Sequence, residues 1–344
     1  MELQSRNYCP PGTRTQVGED TNVSSASYHL FTKDRSARMS DGTPIAYTVR
    51  GTGASGLTVV LANGWSCPDA YWAHVVPHLE GQGHRVVLPD TRGHGDSGLP
   101  RKPGYRCRNL RPDDLSLERI ARDLVELCDH EHVSSAVFMG HSMGVQTILE
   151  VYRQAPARVR GLVCVAGPYE NPMRTFYGEP YMDSLYPLAR FAIQAAPRFL
   201  LPAWRLMGYN HELGRRAAVM VRAAGPKVTT KALAPYISHL GSRDPLVMFM
   251  VIDSMRHHSA VDLLPHVGVP VLILAAEKDT FCPVACQERM HELTPGSELV
   301  VVPDATHCLP IEEPDIVNAE FDRFVGERLG VHPVSAAGGE EVAS

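Results

Sequence analysis

The residues in this chain best placed to do covalent chemistry are a serine, an aspartate and a histidine, each just after a separate apolar run. Ser142 lies in GHSMG (140–144), after the run AVFMG (136–140) and at the head of an amphipathic stretch, Met143 to Gln154. A serine hydroxyl is a weak nucleophile until a base takes its proton, and an imidazole base needs an acid to fix its tautomer and stabilise the imidazolium that forms. Gly140 and Gly144 suit a tight strand-to-helix turn in which backbone crowds the serine, and the helix that follows points the positive end of its dipole at it. As a bare string, G-x-S-x-G is a weak signal, so the downstream residues decide. Asp279 follows the run VPVLILAAE (269–277), and His307 follows ELVVVPD (298–304). Asp279 and His307 are thus candidates for the acid and the base that such a serine needs.

Rival assignments weigh less. Glu170, after the run RGLVCVAG (160–167), is a second candidate acid. His307 is one of 16 histidines and the one that directly follows the last apolar run. His141 reads as a packing residue beside Ser142, and His94 and Asp96 in GHGDSG read as a structural loop. His257 and His258 are too isolated for a metal site, and nothing calls for a metal or an organic cofactor. The eight cysteines are irregularly spaced with no C-x-x-C, so neither a disulfide scaffold nor a zinc site is expected. Cys282 and Cys308 lie close to Asp279 and His307, which invites a redox reading; small packing residues in a reducing compartment is the simpler one.

The elements that must position these residues are short β-rich runs alternating with helical patterns. Besides those named, IAYTVR (45–50), LTVVLA (57–62) and HRVVLPD (84–90) read as strands, several of them apolar on both faces as buried parallel strands are. Between them, 72–79, 117–129, 143–154, 284–293 and 314–329 have helical periodicity; in the second, Leu117, Ile120, Leu124, Leu127 and Cys128 form the apolar face. This alternation predicts an α/β fold with a mostly parallel sheet covered on both faces. About 100 residues separate the strand ending near Gly167 from the next, far more than a crossover needs. Residues 168–260, punctuated by Pro180, Pro187, Pro197, Pro202, Pro226, Pro235 and Pro245, therefore read as an inserted helical cap of short, broken helices. The expected organisation is a polar N-terminal tail (1–27), a core made of 28–167 and 261–330, the cap, and a C-terminal tail (331–344).

Composition bounds the partners. With 44% hydrophobic and 21% charged residues the chain is of ordinary globular type, and a net charge of −5 lacks the basic footprint that nucleic acid requires. No signal-peptide core precedes residue 28 and no long uncharged apolar run occurs, so a soluble cytoplasmic protein is expected. One stretch departs from the acidic whole: residues 185–231 carry eight cations, Arg215 and Arg216 among them, against Glu212 alone. A solvated face is the plain reading, with steering of anionic substrates or contact with anionic lipid as the other options.

Five ordered motifs, NGW (63–65), DTRGHGDSG (90–98), GHSMG (140–144), AAEKD (275–279) and DATHCLPIEEPD (304–315), together resemble the α/β-hydrolase superfamily, specifically its capped esterase, lipase and haloperoxidase-like branch. The resemblance covers residues 40–328 and implies an eight-stranded sheet with a lid after the sixth strand. It implies a carboxylic ester hydrolase working through an acyl-enzyme on Ser142, His307 and Asp279. It further implies that the backbone N–H groups of Trp65 and Met143 form the oxyanion hole. The family usually has His-Gly where this chain has Asn63-Gly64. Lipases, carbon–carbon bond hydrolases and cofactor-free haloperoxidases or perhydrolases share the serine, and some receptors share the fold. Phe176, Tyr181 and Trp204 are the aromatic residues expected to line an acyl pocket in the cap.

Overall fold

The computed structural model describes residues 29–100, 110–195 and 210–332, with isolated positions between 202 and 208; Trp204, the first 28 residues and everything beyond His332 lie outside the described residues. Eight strands form one sheet: β1 (Arg35–Arg38), β2 (Pro44–Arg50), β3 (Thr58–Ala62), β4 (Arg85–Pro89), β5 (Ala136–His141), β6 (Val159–Val165), β7 (Val271–Ala276) and β8 (Glu298–Val302). Their spatial order is β1-β2-β4-β3-β5-β6-β7-β8. The β1–β2 and β2–β4 pairs are antiparallel and the rest parallel. This is the expected α/β-hydrolase fold.

Alternation within the central strands explains their doubly apolar sequences. In β5, Phe138 faces one core while Val137 and Met139 face the other; in β6, Leu162 and Cys164 oppose Val163 and Val165; in β7, Ile273 opposes Leu272 and Leu274. One face is covered by α2 (Leu117–His130) and α3 (Met143–Gln154), the other by α1 (Val75–Gly81) and a C-terminal helix, Pro314–Leu329. Ser116 caps α2, its hydroxyl accepting from the Arg119 amide at 3.2 Å, and the five apolar residues expected on that helix are all buried. β1 was not among the runs expected from the pattern, because in RSAR only Ala37 reaches the core.

Between β6 and β7 the described chain is helical: α4 (Tyr181–Ala195), α5 (His211–Met220), α6 (Thr230–Ser242) and α7 (Pro245–His257). Side chains of Asn210, Thr229 and Asp244 cap the last three. The expectation that proline breaks these helices fails twice, since Pro187 lies inside α4 and Pro235 inside α6. Packing overrides the lost hydrogen bond: Leu233 and Ile237 of α6 and Tyr186 of α4 are buried. At the base of this segment the Ala260 amide donates to Tyr169 O at 2.9 Å, joining its two ends. After β7 come α8 (Val284–Leu293), a single helical turn at Leu309–Glu312 and the C-terminal helix, α9 (Pro314–Leu329).

The C-terminal boundary departs from expectation at Val331. Gly330 adopts the left-handed conformation that ends α9, and Val331, assigned to the tail by its polar surroundings, is buried and donates its N–H to Val325 O at 3.0 Å. No helix of the described residues is long and apolar enough to cross a membrane.

At the other end, residues 29–33 dock on a buried charge cluster. Asp69 accepts from the amides of Leu30 (2.8 Å) and Phe31 (3.2 Å), and its carboxylate lies 3.0 Å from Lys33 Nζ. His29 places Nδ1 3.3 Å from Asp69 and Nε2 3.3 Å from Asp90 and 3.4 Å from Asp96. Burial by itself would lower the His29 pKa, but the hydrogen bonds to Asp69 and Asp96 and the charges of Asp90 and Asp69 outweigh it and push it up to about 9. Because the folded value is raised, the stabilisation is fully present below the ordinary imidazole value near 6.5 and disappears as pH rises through about 9. His29→Ala is expected to cost about 2 kcal/mol at pH 6, with wild type and variant converging above pH 9 to 10 in urea unfolding. A gap independent of pH would contradict this account.

Candidate active site

Ser142 is the hinge between β5 and α3. Its backbone sits at φ 55°, ψ −122°, a conformation that costs an L-residue on the order of 1–3 kcal/mol. The turn is held by Ser142 N donating to Val165 O (3.0 Å) and Val145 N donating to Ser142 O (2.9 Å). It also depends on glycine: a Cβ at Gly140 would stand 2.3 Å from Gly144 O, and one at Gly144 would stand 2.1 Å from Ala62 O. The hydroxyl makes no capping bond to its own helix, which leaves it available.

His307 Nε2 lies 2.9 Å from Ser142 Oγ, and His307 Nδ1 lies 2.8 Å from Asp279 Oδ2. The other oxygen, Oδ1, accepts from the amides of Phe281 (2.8 Å) and Cys282 (2.9 Å), which fixes the carboxylate plane. A carboxylate can only accept, so Nδ1 carries the ring proton and Nε2 presents its lone pair to the serine. The acid that meets His307 is thus Asp279 and not Glu170. His141 does more than pack: fully buried, it donates from Nε2 to His307 O at 2.8 Å and stacks on Tyr71 at 4.9 Å. Burial and the neighbouring His307 push its pKa down to about 3, so it remains a neutral brace on the loop that carries His307.

The loop after β3 runs against the serine, a Cβ built on Gly64 falling 3.1 Å from Ser142 Cβ. Asn63, in place of the usual histidine, donates to Pro89 O (2.9 Å) and accepts from Trp72 Nε1 (2.7 Å), so its amide supplies both kinds of bond and holds the loop. Met143 is the first residue of α3 and its N–H has no helical partner; the Trp65 N–H takes part in none of the loop's backbone hydrogen bonds among the described residues. Two contacts tie this loop to the helices above. Trp65 Nε1 donates to Met248 O of α7 at 3.0 Å, and buried His239 of α6 donates from Nδ1 to Ser66 O (3.0 Å) while its Nε2 accepts from Gly95 N (2.8 Å). Nothing in the local sequence pattern marks His239, because its partners lie more than 140 residues away.

Ser142 and His307 open into a cavity of about 330 Å³ roofed by the helical segment. Its wall is apolar, with Phe176 as expected, stacked on Phe281 at 4.7 Å. Tyr181, expected beside it, is 48% exposed and does not line the cavity, because the start of α4 lies on the outer surface. Residues the sequence did not single out, among them Tyr71, Leu233, Tyr236 and Ile237, take the place. Cys282 and Cys308 are both buried and line the cavity, and burial pushes the Cys308 thiol up to about 12 and Cys282 well above its ordinary value. They are protonated packing thiols, inert as nucleophiles. No Arg or Lys lines the cavity among the described residues. Of the basic stretch, Arg215 and Arg216 pair with Glu212, Arg190 with Asp253 and Lys227 with Glu313. Acidic partners outside residues 185–231 therefore offset part of its local excess.

A model of the α/β-hydrolase fold family matches residues 58–314, and the chain belongs to that family. Among curated proteins it is 27% identical to Karrikin insensitive 2 receptor CA of Petunia hybrida, over 83% of this chain and 98% of that one. It is 28% identical to a probable esterase of Oryza sativa subsp. japonica, over 82% and 96%. Of solved structures, an esterase from Exiguobacterium antarcticum superimposes with a TM-score of 0.66 at 19% identity, covering 84% of this chain and 98% of that one, a likeness of fold.

Proposed function

We propose that this protein is a serine hydrolase that cleaves a carboxylic ester through an acyl-enzyme. The observation that carries the reading is the continuous chain of hydrogen bonds from Asp279 through His307 to Ser142, ending at the wall of an apolar cavity. Ser142 Oγ attacks the ester carbonyl as His307 Nε2 takes its proton; the tetrahedral oxyanion is held by the amides of Met143 and Trp65. His307 then gives that proton to the departing alcohol. In the second half, water loses a proton to His307 and attacks the acyl carbon, and the acid leaves as Ser142 regains its hydrogen. Asp279 stays ionised throughout and stabilises the imidazolium. Residues 168–260 act as the cap, with Phe176 on the acyl pocket. Triad and backbone donors supply the whole of this chemistry, so the reaction calls on no cofactor.

A second reading is a ligand-binding receptor on the same fold, favoured by the apolar cavity and by the similarity to a protein named Karrikin insensitive 2 receptor CA. Hydrolysis of nitrophenyl esters from acetyl to palmitoyl, with product counted per enzyme, separates the two. Many turnovers, best with short acyl chains that fit about 330 Å³, are expected of the hydrolase. A folded protein that releases at most one equivalent across the series would support the receptor, and a preference for palmitoyl would support a lipase.

A further inference from the structure

Apart from Ser142 and His307, the lining side chains that carry polar hydrogens among the described residues are Trp65, whose indole N–H is spent on Met248 O, Cys282, and a cluster of Tyr71, Tyr236, Cys67 and Cys308. Three of these four groups are already engaged. Cys67 Sγ donates to Trp65 O at 3.5 Å, Cys308 Sγ donates to Ala223 O at 3.3 Å, and Tyr71 Oη lies 3.4 Å from Cys308 Sγ. With the thiol hydrogen directed to Ala223, the Tyr71 phenol is the donor in that last contact. Tyr236, on α6, packs edge-on against Tyr71 with ring centres 5.9 Å apart, and its hydroxyl makes no hydrogen bond among the described residues.

Half-buried, this phenol is a hydrogen-bond donor on an otherwise apolar wall, and a ligand that displaces solvent from it without bringing an acceptor leaves it unmatched at a cost. A site built this way rejects the analogue that lacks the matching group far more strongly than an apolar pocket rejects a change in chain length. The described wall favours a neutral ligand group. Burial pushes the phenols of Tyr71 and Tyr236 well above their ordinary range, so neither is ionised near neutral pH, and no Arg or Lys reaches the cavity wall among the described residues to pair with a carboxylate. The position is also close to the reacting atoms, since Cys308 follows His307 and Tyr71 stacks on His141, the residue before Ser142.

We propose that Tyr236 is a specificity-determining residue that donates a hydrogen bond to the substrate, and that the substrate class is a compact, uncharged ester or lactone carrying a second oxygen acceptor, such as a keto or ether oxygen, in addition to the scissile carbonyl. The assignment rests on the serine hydrolase reading above.

Two matched pairs of substrates test it: nitrophenyl levulinate against nitrophenyl pentanoate, with the acceptor on the acyl part, and methoxyethyl butanoate against butyl butanoate, with it on the alcohol part. Wild type is expected to favour the acceptor-bearing member of at least one pair in kcat/KM by about tenfold, the effect of one neutral hydrogen bond, and Tyr236→Phe to bring that ratio toward one. A wild-type ratio near one in both pairs, or a ratio that survives in Tyr236→Phe, would overturn the proposal. Because Tyr236→Phe removes a single oxygen, an unchanged melting temperature establishes that the variant is folded. Calorimetric binding of the same esters to Ser142→Ala, with and without Tyr236→Phe, reads the preference without turnover. Absent turnover with a Tyr236-dependent binding preference would sink the hydrolase and keep the contact, whereas turnover with no such preference would do the reverse.

Discussion

Ser142→Ala is expected to lower kcat by about 10⁴- to 10⁶-fold on any ester the wild type turns over, leaving the residual rate that the backbone donors and binding alone provide. The size follows from the loss of the covalent route: among the described residues His307, 2.9 Å from Ser142 Oγ and backed by Asp279, has no other hydroxyl in hydrogen-bond contact to activate. Loss of labelling by a fluorophosphonate should accompany the loss of rate, and near-normal turnover by the folded variant would remove Ser142 from the mechanism. A companion substitution separates chemistry from stability. Since Ser142 holds φ at 55°, Ser142→Gly should abolish activity as fully while unfolding at higher denaturant, by about 1 kcal/mol, because glycine adopts that backbone without strain.

Arg92→Leu is expected to cost about 3 kcal/mol or more of stability, the largest effect anticipated away from the cavity. Arg92 is fully buried, and its guanidinium bonds Asp123 through two contacts of 2.6 Å, Asp41 at 2.9 Å and the Asp114 carbonyl at 2.8 Å. Removing it leaves Asp123 buried with only Arg119, at 2.8 Å, as a cationic partner, and the penalty is chiefly that of a buried carboxylate short of its countercharge. The double variant Arg92→Leu/Asp123→Leu should therefore recover part of the loss. Urea unfolding of both variants checks this; a double variant less stable than the single one would show that the ion pair itself, and not the orphaned charge, carries the effect.

What could be read in advance divides along physical lines. β5, β6 and β7 were legible because burial on both faces demands uninterrupted apolar residues, and the site was legible because the order of Ser142, Asp279 and His307 at strand ends is carried by the chain itself. β1 was not, since an edge strand held by main-chain bonds needs only Ala37 in the core. Pro187 and Pro235 misled for the opposite reason: a local rule about helices yielded to tertiary packing. Tyr71, Tyr236 and His239 escaped because a cavity wall is assembled from segments far apart in the chain, and no local spacing announces that they will meet. Val331 looked like tail because its neighbours are polar, although the left-handed Gly330 turns it back onto α9.

Two bonds join the Trp65 loop to α6 and α7, and under the proposed function they would couple substrate binding to activation. Under the roles proposed for Trp65 and the helical segment, a substrate that seats α6 and α7 also sets the donor that receives the oxyanion. By reciprocity, charge developing on that oxygen draws the roof down by the same free energy. On that reading, attraction for the fleeting tetrahedral species would be partly stored as cohesion between roof and sheet. A molecule too small to hold the roof in place would be bound by a site whose oxyanion donor is not yet aligned, and discrimination by size would show in the rate of the chemical step more than in occupancy.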